Sequence, residues 1–208
     1  MIFHKHNSIF IHIPKAGGTS IENLLWPDVD SRGPESLWMG FVKPNYNKYQ
    51  TGGLQHLLAK QVREEVGAEV FEAYYKFTIV RNPWDKIISQ FSYMQRRKDL
   101  REFVGMKKST SFEKYLDLIQ KKEHVQWKKQ IDFITDDNGE LLVNDVFKLE
   151  NLNTEMPQLS SSLGIDTEVL PHHNKSVRKA YEDYYSIETK ERVAELYKED
   201  IKYFNYQF

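Results

Sequence analysis

Three short apolar runs, each followed by a turn and a helix-periodic stretch, predict a three-layer α/β domain. Its sheet is small and mostly parallel, with helices on both sides. The runs are Ser8 to Ile13, Phe77 to Val80 and Val146 to Leu149. A total of 208 residues suits one domain with a proper core, taken here as a single unit over 1–208.

The first run ends at Pro14, as a buried strand would, and Pro14 to Gly18 reads as a tight turn. Thr19 to Trp26 then carries Ile21, Leu24 and Leu25 at the spacing of one helix face. Strand, loop and helix in that order build an anion site, because the first N–H groups of a helix are free and lie at its positive end. Gly17 and Gly18 allow close backbone approach, Lys15 brings a mobile charge, and Thr19 and Ser20 add hydroxyl donors. Thr19-x-x-Glu22 also matches a capping box, which gives Glu22 a structural role. Lys15, set between a proline and two glycines, has no such role.

The loop is P-loop-like without being a Walker A sequence, whose lysine follows the glycines. Here the lysine comes first, and IHIPKAGGTS resembles the 5′-phosphosulfate loop of sulfotransferases that use 3′-phosphoadenosine 5′-phosphosulfate (PAPS).

After the first helix, Pro27 to Gly53 is rich in Pro, Gly, Asn and aromatics and reads as a long ordered loop. Trp38, Phe41, Tyr46 and Tyr49 would either stack on sugar rings or pack the loop down. A helix is expected next, with His56 in its first turn, Leu57, Leu58, Val62 and Val66 on one face and Gly67 as its stop. A positive helix end disfavours imidazolium, so His56 should be neutral near pH 7 and able to act as a base.

The second run, FTIV, delivers Arg81 to the start of a helix from Asp85 to about Arg97, with Pro83 well placed at its N-terminus. Ser89 lies among the apolar Ile87, Ile88, Phe91 and Met94, where its hydroxyl needs a partner that a phosphate could provide. FTIVRNPWDKIISQF resembles the 3′-phosphate motif of the same enzymes, so both halves of a PAPS signature stand in order.

Within that superfamily the chain is similar to the carbohydrate sulfotransferases, including the heparan sulfate 2-O type, and their bacterial relatives. The resemblance implies that Lys15, Ala16, Gly17, Gly18, Thr19 and Ser20 hold the 5′-phosphosulfate and that Arg81 and Ser89 hold the 3′-phosphate. It places the donor at the C-terminal ends of the strands and implies Lys15 and His56 as catalytic groups. His12 is the poorer base, lying inside the first strand, and the QHLL context lacks the second nearby histidine of the family pattern. The acceptor would be a hydroxyl, on a saccharide by the same resemblance, and no metal is expected.

Arg96, Arg97, Lys98, Arg101, Lys107 and Lys108 form a basic cluster that is either a solvated face or an attractor of acidic glycans. Helices are expected over Ser111 to Lys122, His124 to Ile134, Asn153 to Leu163 and Glu188 to about Phe204, with a turn at Asp136 to Gly139. His172 to Arg178 resembles the segment that closes over the nucleotide, which brings in Lys175 and Arg178 as phosphate contacts.

Lysine and arginine number 29 against 30 acidic residues, a net charge of −1, so wholesale nucleic-acid binding is not expected. With no cysteine there is no disulfide, thiolate metal site or cysteine nucleophile. Neither a signal peptide nor an apolar run of membrane-spanning length is seen, so the expectation is a soluble, cytoplasmic protein. Two rival readings stand beside the sulfotransferase. One is a nucleotide-dependent, Mg²⁺-requiring phosphoryl transferase, and the other a non-catalytic nucleotide- or glycan-binding module.

Overall fold

A computed structural model of the chain describes residues 1–27, 32–38, 54–166 and 179–208. Among the described residues four strands form one sheet in the order β1 (Ile2–Phe3), β2 (Ser8–Ile11), β3 (Tyr75–Val80), β4 (Asp145–Lys148). The three long-range strands are parallel, with Phe10 opposite Phe77 and Phe77 opposite Asp145, and β1 pairs antiparallel with β2. The small, mostly parallel sheet is as the sequence predicts, and β1 is the addition.

Alternation along the strands sorts side chains onto two faces. Phe10, Phe77, Ile79 and Phe147 pack with Ile21 and Leu25 of α1 (Gly18–Leu25) and Met156 and Leu159 of α8 (Leu152–Leu163). Ile9, Ile11 and Val80 meet Ala59 and Val62 of α2 (Ala59–Val66), Phe71 of α3 (Ala68–Ala73) and Phe133 of α7 (Ile131–Ile134). That is the three-layer arrangement.

A third cluster unites α4 (Pro83–Met94), α5 (Lys98–Val104), α6 (Phe112–Ile119) and α9 (Ile187–Leu196) around Tyr115, Leu116 and Trp127. α10 (Lys198–Tyr203) follows α9.

Tertiary bonds reset several boundaries. The stretch predicted as one helix from His124 to Ile134 is a 3-10 turn at Val125–Trp127 followed by the short α7. The backbone there is diverted: the N–H of Gln126 bonds His124 Nδ1 at 3.1 Å, and the N–H groups of Gln130 and Ile131 bond Asp200. The last predicted helix breaks at Tyr197, whose hydroxyl donates to the Trp127 carbonyl at 2.8 Å. His56 closes a 3-10 turn, Leu54–His56, rather than opening α2, whose N-cap is Leu58. Gly67 does end α2, at φ 83°.

Trp38 is part-buried against Trp26, with Arg32 4.5 Å over its ring, and so takes the packing role. Phe41, Tyr46, Tyr49, Lys175 and Arg178 lie outside the described residues.

Candidate active site

The loop after β2 turns through two left-handed residues. Gly17 has φ 85°, where L side chains are strained, and a Cβ there would sit 2.6 Å from Leu149 Cδ1. Lys15 adopts φ 66° without being glycine, a local strain of the kind that collects at functional loops. Gly17 is the N-cap of α1, and no described side chain caps the helix; the Ser20 N–H turns back to the Gly17 carbonyl at 3.1 Å, which leaves those of Gly18 and Thr19 without an acceptor inside the helix. Thr19 is exposed, Ser20 half-buried, and neither hydroxyl bonds a described residue.

Glu22 therefore does not serve a capping box. It is 2% exposed, its Oε1 lies 2.6 Å from His12 Nδ1, and it accepts a hydrogen bond from Gln55 Nε2 at 3.1 Å. His12 stacks on Phe10 and forms the wall behind the loop. A Cβ on Gly18 would penetrate its ring, so only glycine lets α1 start here.

His56 meets His12 edge to face, with ring centroids 4.5 Å apart. Its Nδ1 lies 3.1 Å from the His12 carbonyl oxygen, which can only accept, so Nδ1 carries the proton and Nε2 the lone pair. Burial, reinforced by the charges of His12 and Lys15, holds the imidazole well below its ordinary pKa of 6.5. The neutral form expected from sequence is thus present through burial rather than through a helix end.

Arg81 ties the turn after β3 to the loop after β2. Its Nη1 donates to the Lys15 carbonyl at 2.9 Å, while Nε and Nη2 hold Asp85 Oδ2 at 2.8 and 2.6 Å. A guanidinium has five N–H donors, so two remain for an anion. Ser89 stands one helical turn beyond Asp85, half-buried and without a hydrogen bond to the described residues. The backbone of Asn82 is fixed by Glu150 at 2.7 Å, and its side chain both caps α4 and donates to the Gln207 carbonyl. Lys15 Nζ rests 4.2 Å over the Tyr93 ring.

Residues 12–20, 56 and 81 thus converge on one place. Glu22, Asp85, Tyr93 and Gln130 join them without having been read as parts of the site. Asp85 had a legible signal, since it stands four residues after Arg81 at a helix start.

A cleft of about 490 Å³ opens between Leu58 and Gln61, the turn carrying His124 and Trp127, and Lys128 and Tyr197, and none of residues 12–20, 56 or 81 lines it. Among the described residues no helix is long and apolar enough to cross a membrane, and no group of three or more His, Asp and Glu could hold a metal ion.

A family model, described as the sulfotransferase family, matches residues 1–207. The chain belongs to the sulfotransferase family. The crystal structure of mouse sulfotransferase SULT7A1 complexed with PAP shares its fold at TM-score 0.56 and 15% identity, over 93% of this chain and 83% of the other. A sulfotransferase from Alicyclobacillus acidocaldarius matches at TM-score 0.53 and 13% identity, over 97% and 96% of the two chains. An uncharacterized protein of Archaeoglobus fulgidus is 24% identical over 119 residues, 53% of this chain and 85% of its own length.

Proposed function

We propose that this sulfotransferase moves the sulfuryl group from PAPS to an acceptor hydroxyl. The observation that carries the reading is Arg81 bonded to the Lys15 carbonyl, beside a neutral His56 with its lone pair on Nε2. Those residues fit the donor. The loop amides, Lys15, Thr19 and Ser20 would hold the 5′-phosphosulfate, and the two spare donors of Arg81 with the Ser89 hydroxyl would hold the 3′-phosphate. Bound there, PAPS supplies an electrophilic sulfur and a phosphate leaving group.

His56 Nε2 takes the proton of the attacking hydroxyl as the acceptor oxygen joins sulfur and the bond from sulfur to the bridging oxygen breaks. Lys15, whose Nζ lies over the Tyr93 ring, would stabilise the charge that develops on the bridging oxygen of the donor. Arg81 and Ser89 position the donor and take no part in bond making. The transferred group carries less charge than a phosphoryl group, so protein cations suffice and no metal is invoked.

The acceptor hydroxyl must lie within hydrogen-bond reach of His56 Nε2. A saccharide hydroxyl is the finer proposal, supported by the likeness of the two motifs and of the intervening histidine to carbohydrate sulfotransferases.

Calorimetric titration with adenosine 3′,5′-bisphosphate, and separately with ATP plus Mg²⁺, tests the donor. Tight bisphosphate binding with weak ATP binding is expected. A preference for Mg²⁺-ATP would refute the assignment and favour a phosphoryl transferase. Turnover of labelled PAPS against a panel of saccharides and simple alcohols then tests the acceptor.

A further inference from the structure

Arg81 is the first residue beyond β3, and strand pairing stops just before it, at Val80 opposite Lys148. Its backbone N–H and C=O must therefore find partners outside the sheet. Gln130 supplies both. The Arg81 N–H donates to Gln130 Oε1 at 2.9 Å, and Gln130 Nε2 donates to the Arg81 carbonyl at 2.8 Å. One side-chain amide replaces a neighbouring strand.

Gln130 is 0% exposed, so these bonds exclude water and fix its own orientation. It is anchored in turn. Its N–H donates to Asp200 Oδ2 at 2.8 Å, and the next N–H, of Ile131, donates to Asp200 Oδ1 at 2.9 Å. Asp200, also 0% exposed, thus ties α10 to the start of α7 and, through Gln130, to the Arg81 backbone. The buried Lys86, whose Nζ donates to the Lys128 carbonyl at 3.3 Å, places a positive charge near Asp200.

We propose that Gln130, backed by Asp200, is a positioning residue that sets the aim of the Arg81 guanidinium and hence the affinity for the 3′-phosphate of the donor. This rests on the assignment of Arg81 to that phosphate. The guanidinium lies at the end of a long side chain, so a small rotation of the Arg81 peptide displaces it considerably. A displacement of about 1 Å at such a group can cost on the order of 100-fold.

The test compares Gln130→Leu, Gln130→Glu and Asp200→Asn with Arg81→Ala, measuring affinity for adenosine 3′,5′-bisphosphate and adenosine 5′-phosphate, and the melting temperature of each variant. Arg81→Ala should remove the preference for the bisphosphate. Gln130→Leu should cut that preference about tenfold or more while leaving monophosphate affinity nearly unchanged. Gln130→Glu keeps an acceptor for the Arg81 N–H but loses the donor to its carbonyl, and should fall between. It carries the test alone if the leucine variant does not fold. Asp200→Asn should show a smaller loss of the same sign.

A Gln130 variant that keeps the wild-type preference, while Arg81→Ala loses it, overturns this role and spares the Arg81 assignment. Equal losses for both nucleotides mark a purely structural residue and overturn it too. An Arg81→Ala variant that keeps the preference removes the assignment on which the inference stands.

Discussion

Glu22 and Thr19, compared with each other, separate two readings of the first helix. If Thr19 and Glu22 formed a capping box, removing either would cost about 0.5–2 kcal/mol. The structure instead caps α1 with Gly17 and buries Glu22, with side-chain exposures of 3% for Glu22 and 6% for His12 across a 2.6 Å contact. Removing Glu22 takes the acceptor from the half-buried Gln55 amide and the neighbour from the buried His12 ring, a loss of about 1–3 kcal/mol. For a domain of this size each kcal/mol lowers the melting temperature by about 2–4 °C. Glu22→Ala should therefore melt roughly 2–12 °C lower by circular dichroism. Glu22→Gln, which keeps the shape and one acceptor, should lose less, and Thr19→Ala should be close to neutral because Thr19 is exposed and bonds no described residue. A Thr19→Ala loss as large as that of Glu22→Ala would refute the buried-pair argument.

His56→Ala should lower kcat by about 10²–10⁴-fold with bisphosphate affinity within a factor of about two. The base works unprotonated and its folded pKa lies well below 6.5, so kcat/KM should rise with pH only on the acid side and be flat from pH 6.5 to 8. A rise centred near or above 6.5 would count against it. His124 is lowered by burial to about 4, so below pH 6.5 the unfolded chain binds a proton that the folded one does not. Stability should fall as pH drops from 6.5 toward that value, by about 2 kcal/mol at pH 5, and urea midpoints of His124→Asn should lack that share of the decline. Gly17→Ala meets both the positive φ and the Leu149 side chain, and should weaken bisphosphate binding in calorimetry. Wild-type affinity there would show that the loop has no need of glycine.

The strand–loop–helix unit and the Arg81 turn were legible because each rests on local chemistry: apolar runs, a proline, two glycines and a helix start. The neutrality of His56 was legible, but its cause was misread, since burial against His12 depends on a contact spanning 44 residues. Glu22 fitted a local capping pattern and was claimed by a tertiary partner that no spacing reveals. The predicted helix from His124 to Ile134 failed for the same reason, as the side chain and backbone of Gln130 serve Arg81 and Asp200. Glutamine in a polar stretch carries no periodic signal, so its part in the site is visible only in three dimensions.

The basic cluster from Arg96 to Lys108 leads to a last prediction about the acceptor. Two of its six cations are ion-paired within the fold, and a third is tied to backbone carbonyls. Arg97 holds Asp99 through Nε and Nη2 at 3.0 and 2.6 Å and also bonds the Tyr93 hydroxyl. Arg101 donates to the Gln95 carbonyl at 2.6 Å, and Lys98 lies 3.7 Å from Glu102. These bonds favour the solvated-face reading, because a paired cation offers little field to a distant anion, and what remains is screened over about 10 Å at 0.1 M salt. Acceptor KM, measured with PAPS saturating at every salt concentration so that donor binding does not contribute, should change less than about threefold between 50 and 250 mM salt. Steering of an acidic glycan by this cluster would instead raise KM steeply over that range, and charge reversal of the exposed Arg96, Lys107 and Lys108 would abolish the dependence. That result would return the cluster to the acceptor site and refute the pairing argument.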